Sequence, residues 1–452
     1  MNSPLPEKTA HAPGEMQGSV EPGPVHSGRV TQGSWMLAAP RHAFRSLRHR
    51  NFRLFLMGQS LSLVGLWMQS MALSWLVYRL SNSATVLGAV QFANQIPILF
   101  LGVAGGLVAD RLPKKRLLLF VQGLFMLQAA ILTVLVLGKW ATIPQIFALS
   151  VFFGVINAFD IPIRQSFVAE MVPPHDLMNA IAVNSANFNL ARLLGPAVAG
   201  FIVARWGEGA CFLLNTLSFA AILFMLTRIE PVRPSPAGSD SQASPLLQLK
   251  EGFRYASSTI HVRPLLLVIA VASFFAYPYL TVMPVFARDL LRGDAGTLGI
   301  LMSAIGLGAL MGALTLALRS GIGGLGRLVC GASAGFGLSV IAFAFSPSLP
   351  LSCAALTVSG FCMMVHLAGS NTLLQTFVPH ELRGRLMSIY STAMVGLMPF
   401  GSLLMGWGAD RIGARWAVCA GGAAMVTAAL WLFSKIPAIR DSLKHHLAGG
   451  AV

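Results

Sequence analysis

Within the stretch FNLARLLGPAVAGF, residues 188–201, Arg192 stands in an otherwise apolar run. A guanidinium keeps its charge at any physiological pH and presents five donors in a planar fork. Ser185, Asn189, Arg192 and Pro196 recur at i, i+4, i+7 and i+11, so they share one face of a helix. That face favours an anionic or oxygen-rich molecule, or a carboxylate on a neighbouring helix. The plainer alternative is an arginine that only braces backbone carbonyls between helices. His366, within FCMMVHLAGSN, changes charge near neutral pH and is a candidate proton carrier. A histidine satisfied by one internal hydrogen bond is the competing reading. Gln59, Gln91, Gln95 and Asn157 add neutral polar groups in other apolar runs. Tyr277 and Tyr279 flank Pro278 and offer aromatic faces to a flat or lipophilic molecule.

Covalent chemistry has no counterpart in the sequence. There is no GxxxxGK[ST] loop and no HExxH pair. The five cysteines, Cys211, Cys330, Cys353, Cys362 and Cys419, lie in or beside apolar segments, without metal-ligand spacing. The expectation is therefore a protein that is not an enzyme, with no catalytic residue, cofactor or metal.

Positioning these groups falls to apolar runs. Of 452 residues, 55% are hydrophobic and 11% charged, whereas soluble domains carry about 25% charged residues. A membrane helix needs roughly 20 apolar residues. Runs of about that length fall at 54–78, 85–108, 117–138, 143–159, 178–204, 210–227, 265–287, 296–318, 328–345, 349–369, 386–408 and 416–433. As drawn, none contains an internal carboxylate, since Asp160 closes the fourth and Glu170 lies in the following loop. Most of the 32 Lys and Arg lie in the tails and the even-numbered loops. The exceptions outside that set are Arg79, Lys139, Arg205, Arg288, Arg292, Arg411 and Arg415, with Arg192 between the two. The positive-inside rule then puts both termini in the cytoplasm. The net charge of +16 thus reflects topology rather than nucleic-acid binding.

Residues 1–40, rich in Pro, Gly, Ser and His, read as a disordered cytoplasmic tail without the pattern of a cleaved signal peptide. Two six-helix bundles follow at 41–230 and 263–436, then a short tail at 437–452. Between the bundles, residues 231–262 form a linker. There Leu249, Phe253, Ala256 and Ile260 recur at helical spacing, which predicts a surface amphipathic helix. VPPHDL at 172–177 returns as VPHEL at 378–382. Gly195, Gly200 and Gly207 return at one constant offset as Gly401, Gly406 and Gly413. The expected fold is all-α and polytopic, with twelve transmembrane helices in two parallel six-helix repeats around a midplane site.

The loop GLVADRLPKKR, Gly106 to Arg116, resembles the signature of the major facilitator superfamily, with Pro113 where a Gly usually follows. The second-half counterpart, GALTLALRSGIGGLGR, keeps Gly312 but has Leu316 where the Asp would stand. IRQSFVAEMVPPHDLMNAIAVNSANF, LLGPAVAG and EGFRYASSTIHVRPLL are similar to the enterobactin exporter-like efflux branch. Gly195, Pro196 and Gly200 also resemble the span-five motif of drug/proton antiporters, with Ala199-Gly200 where Gly-Gly is usual. These glycines and the proline would permit close helix approach and bending.

The resemblance implies a monomeric secondary transporter of a bacterial inner membrane, exporting small amphipathic compounds, siderophore-like or drug-like, against protons by alternating access. A lysolipid or other lipid-like cargo is the alternative, and a non-transporting receptor or sensor on the same scaffold is the alternative of another class. It also implies a gate built from Gly106, Asp110, Arg111, Lys114, Lys115 and Arg116. Asp110 would latch onto the start of span eleven, near Arg383 and Arg385. The plainer reading is that Asp110 and Arg111 only end a helix and set topology.

Overall fold

Proline and capping side chains set where the membrane helices begin. Pro174, Pro264 and Pro350 each lie in a first helical turn, where a missing N–H costs nothing. Ser83 caps one helix through Val86 N, and Asp294 caps another through Thr297 N. The computed structural model describes residues 45–230, 254, 259, 262–319, 321, 323–378 and 380–449. The expected N-terminal tail and the expected linker helix around Leu249, Phe253, Ala256 and Ile260 lie outside the described residues.

Among the described residues, 12 helices are long and apolar enough to cross a membrane. They are α1 (Arg50–Ser81), α2 (Ala84–Arg111), α3 (Lys114–Leu137), α4 (Ile143–Glu170), α5 (Pro174–Trp206) and α6 (Glu208–Arg228). The second half adds α7 (Arg263–Leu290), α8 (Ala295–Ala317), α9 (Leu325–Ala344), α10 (Leu349–Phe377), α11 (Leu382–Ile412) and α12 (Ala414–Lys435). Helical backbone continues beyond α12 to Gly449. The chain is a multi-pass membrane protein.

One expected boundary is wrong in a way that matters. The fourth span does not end at Asp160, because α4 continues through Pro162 to Glu170. Asp160 is therefore an internal carboxylate, only 2% exposed. Arg164, one turn on, pairs with it at 3.0 Å, and Gln122 of α3 donates to it at 2.9 Å. These partners offset the desolvation cost that would otherwise argue for a helix end at the first charge.

The two halves repeat the same packing. In the first, α1 packs on α5 and α6, α2 on α4, and α3 on α4 and α6. In the second, α7 packs on α11 and α12, α8 on α10, and α9 on α10 and α12. Each pair recurs six helices later, as a parallel duplication requires. The halves meet along α2–α11 and α5–α8, which the duplication also relates. Glycines bring these backbones together. A Cβ on Gly88 would strike the Ser402 carbonyl, and one on Gly200 would strike Ala295 and Gly299.

Regularity differs between the halves. Whereas α1 and α5 are continuous α-helices, α7 passes through a π-turn at Ala272–Ala276 and a 3-10 stretch at Tyr277–Val282. A second π-turn follows at Phe286–Leu290. Pro278 and Pro284 supply no N–H, so carbonyls one turn earlier lose their usual donors. In α11 a π-turn covers Thr392–Gly396. The Ser273 hydroxyl of α7 donates to the Met394 carbonyl inside it.

Candidate functional site

A cavity of about 430 Å³ lies between the halves. From the first half, Trp67, Gln91, Asn94, Asn157, Arg164 and Arg192 line it. Leu280, Thr281, Met302, Ile305 and Met398 form the wall from the second half. It is thus an apolar chamber with a few convergent polar groups, the usual composition of a small-molecule site.

Arg192 reaches the cavity from the middle of α5. Its guanidinium carbon lies 5.7 Å from the centre of the Trp67 ring, and Nη2 lies 3.9 Å from Met363 Sδ. No carboxylate pairs with it among the described residues. The close approach of α1 and α5 makes this geometry possible: a Cβ on Gly195 would collide with Trp67 Cβ. The ring therefore packs across the glycine, beneath the guanidinium, where a cation–π contact offsets part of the desolvation. The Trp67 indole N–H is itself buried without a partner. Pro196 also lines the cavity, while Gly200 lies further along at the α5–α8 contact.

Amide groups fix the first-half wall from behind. Asn215 donates to Gln69 at 2.7 Å, and Gln69 donates to Gln128 at 3.0 Å. This chain ties α6, α1 and α3 together, and Gln69 and Gln128 also face the cavity.

Several expected site residues lie elsewhere. Gln59 and Gln95 are outside the lining, each with a buried amide atom lacking a partner. Asn189 donates back to Ser185 O at 2.9 Å, on its own helix. His366 lies between α9 and α10, fully buried, with Nδ1 at 2.8 Å from the Ser333 hydroxyl. Tyr279 packs on Phe336 and Phe343, its hydroxyl 3.2 Å from that of Ser359. Tyr277 is buried against Phe336 with its hydroxyl unpartnered. Conversely, Trp67, Asn94 and the Asp160–Arg164 pair went unnoticed in the sequence. The i, i+4 spacing of Asp160 and Arg164 was the available signal for the pair.

The two ends of the molecule differ. At the far end, where α1 and α7 finish, Tyr78 donates to Asp289 and Arg288 donates to Asn82 at 2.8 Å. Asp410, at the end of α11, accepts from Ser83 and from the backbone of Ala84 and Thr85. All these bonds join the halves. At the base, where α1 and α7 begin, Asp110 and Arg111 are exposed. Asp110 makes no hydrogen bond or ion pair there among the described residues. A Cβ at Gly102 or Gly106 would meet nothing within 4 Å. Gly105, rather than Gly106, makes the close approach, to Ala158 and Phe159 of α4. Of the basic cluster, Lys114 pairs with Glu170, Lys115 donates to Ile229 O at 2.7 Å, and Arg116 is exposed. Arg383 and Arg385 stand in the first turns of α11, and Arg383 Nε is buried without a partner.

A duplicated twelve-helix bundle enclosing a central cavity is the architecture of the major facilitator superfamily. Residues 41–447 match the family model described as transmembrane secretion effector, and the chain belongs to that family. The staphyloferrin A transporter of Staphylococcus aureus is 27% identical over 79% of this chain and 89% of its own length. The multidrug efflux pump Tap of Mycolicibacterium fortuitum is 28% identical over 76% of this chain and 85% of its own. Among solved structures, a POT family transporter in complex with 5-aminolevulinic acid superposes with a TM-score of 0.70 at 12% identity. That alignment covers 86% of this chain and 96% of the other, and at this identity the likeness concerns the fold alone. The resemblance to siderophore- and drug-exporting carriers read from the sequence agrees with these matches, and the chain is a transporter rather than an enzyme.

Proposed function

We propose that the protein exports small amphipathic compounds carrying an anionic or oxygen-rich group, from the cytoplasm across a bacterial inner membrane, by alternating access. One observation carries this reading: Arg192 presents a fixed cation to an otherwise largely apolar cavity without a carboxylate partner among the described residues. A buried cation without a counter-ion is costly, and an anionic cargo supplies what it lacks. Trp67 and Phe188 offer flat apolar surface beside it. Siderophore-like and drug-like molecules both fit that description, in keeping with the relatives' names.

The base, with its exposed Asp110, is the cytoplasmic side, and this conformation is open towards it. In the outward-open state Asp110 docks at the start of α11, where helix N–H groups and the unpartnered Arg383 Nε await an acceptor. Protons drive export in exchange. Asp160 is the better-situated carrier, because its partner Arg164 lines the cavity, whereas His366 is bonded to Ser333 away from it.

Purified protein in proteoliposomes tests this directly. A pH gradient is expected to accelerate efflux of an anionic amphiphile, and its neutral ester should move more slowly. Binding without flux would favour a receptor, and flux indifferent to the gradient would remove proton coupling.

A further inference from the structure

The motif Gly106-Leu-Val-Ala-Asp110-Arg111 at the end of α2 has a second copy, not at the equivalent loop of the other half but at the end of α11. There the chain reads Gly406-Trp-Gly-Ala-Asp410-Arg411. In both, Gly, Ala, Asp and Arg hold the same spacing, and an aliphatic Leu112 or Ile412 follows. The two helices run in opposite directions and pack on each other across the interface between halves. Each motif therefore ends its own helix beside the first turn of the other, at opposite faces of the membrane.

At the far end the motif is engaged. Asp410 Oδ1 accepts from Ala84 N at 2.9 Å, and Oδ2 accepts from Thr85 N at 2.8 Å and from the Ser83 hydroxyl at 2.7 Å. Ser83 meanwhile takes the next donor of α2, Val86 N, at 3.3 Å. The first turn of α2 is thus capped jointly by its own serine and by a carboxylate from the other half. A charge at a helix N-terminus combines hydrogen bonds with the favourable end of the helix dipole. Gly406 lets the backbones close: a Cβ there would run into the Ala84 carbonyl and Gly88. At the base the same motif is idle. Asp110 is exposed, and a Cβ on Gly106 would meet open space.

We propose that Asp410 is a gate-positioning residue, the far-end counterpart of Asp110, and that the two carboxylates engage in turn. Asp410 on the first turn of α2 holds the far end shut in the base-open state. Its release and the docking of Asp110 on the first turn of α11 accompany the opposite state. Gly406 and Gly106 serve the same purpose at their respective ends, admitting the partner backbone only when that end is closed. This proposal rests on the alternating-access reading above.

The test uses a reporter cysteine at Ser74, which lines the cavity on α1. Membrane-impermeant thiol reagent is applied from either face of vesicles, and the chain with Ser74 intact gives the background from native cysteines. Asp410→Ala is expected to raise labelling from the far side about tenfold relative to the base side, the scale of losing charge-assisted hydrogen bonds. Asp110→Ala is expected to shift the ratio the other way. The double variant should return towards the original ratio, which a merely structural role for Asp410 would not produce. Labelling from both faces that does not respond to Asp410→Ala would overturn the alternating latch alone. So would a loss in Asp410→Ala that Asp110→Ala fails to compensate. Labelling from one face only, in every variant, would overturn alternating access and the latch with it.

Discussion

From α1, α2, α4 and α5, the first half sends Trp67, Gln91, Asn94, Asn157, Arg164 and Arg192 into the cavity, whereas Thr281 is the polar side chain in the second-half wall. Yet both halves pair their helices in the same order. Duplication has preserved what helix packing needs, namely glycines at crossings and apolar surface between them. It has not preserved the polar lining of the cavity. The second half keeps its own polar residues, but pairs His366 with Ser333 and Tyr279 with Ser359 behind the wall. The polar lining of the cavity is thus almost wholly the first half's.

Removing the cation should break that asymmetry most severely. Arg192→Ala is expected to lower the initial rate of anionic-substrate efflux from proteoliposomes by at least about tenfold, since one charge-assisted contact is worth that much. Arg192→Lys keeps charge without the fork and should fall between. Full activity in both variants would return Arg192 to a bracing role. Next in size is Asp160→Asn. It should abolish acceleration by a pH gradient while substrate counterflow persists, and unchanged gradient dependence would move the proton elsewhere. His366→Gln serves as the second-half control, with the pH profile of efflux expected to stay where it is.

Smaller effects sharpen the contrast. Asn215→Ala leaves the Gln69 carbonyl without its donor, at a cost of about 1–3 kcal/mol. A lower unfolding temperature in detergent would show it, with substrate affinity reduced only in proportion to the loosened wall. Thr281→Val should change efflux least, within about 0.5 kcal/mol of binding free energy measured by substrate titration. A loss as large as that of Arg192→Ala would mean that both halves read the cargo.

The number of spans was legible because length and apolarity alone specify a membrane crossing, and the repeat was legible through Gly195, Gly200 and Gly207. Arg192 was legible as a charge with nowhere to snorkel. Which polar residues face the cavity was not. In a membrane bundle the lipid-facing and bundle-facing sides are both apolar, so helical periodicity loses its power to tell inside from outside. Gln91 and Gln95 illustrate this: one turn apart on α2, only the former lines the cavity. Tyr277 and Tyr279 looked like binding aromatics, but the irregular path of α7 turns them towards Phe336. Asp160 reads as a helix end because Pro162 separates it from Arg164, four residues on, and because Gln122, on another helix, becomes its partner only in three dimensions.

The broken helical geometry of α7 and α11 has a mechanical consequence. An unbroken α-helix is stiff along its axis, whereas π and 3-10 turns, with fewer well-aligned backbone bonds, are where a helix bends. The paired turns at Ala272–Ala276 and Thr392–Gly396 are therefore expected to bend more readily than the unbroken α1. Amide exchange should be faster through Tyr277–Val282 than through the middle of α1, although the former is the more buried. Irregular helix geometry thus falls in the second half, and the first half, which supplies most of the polar cavity lining, keeps regular helices.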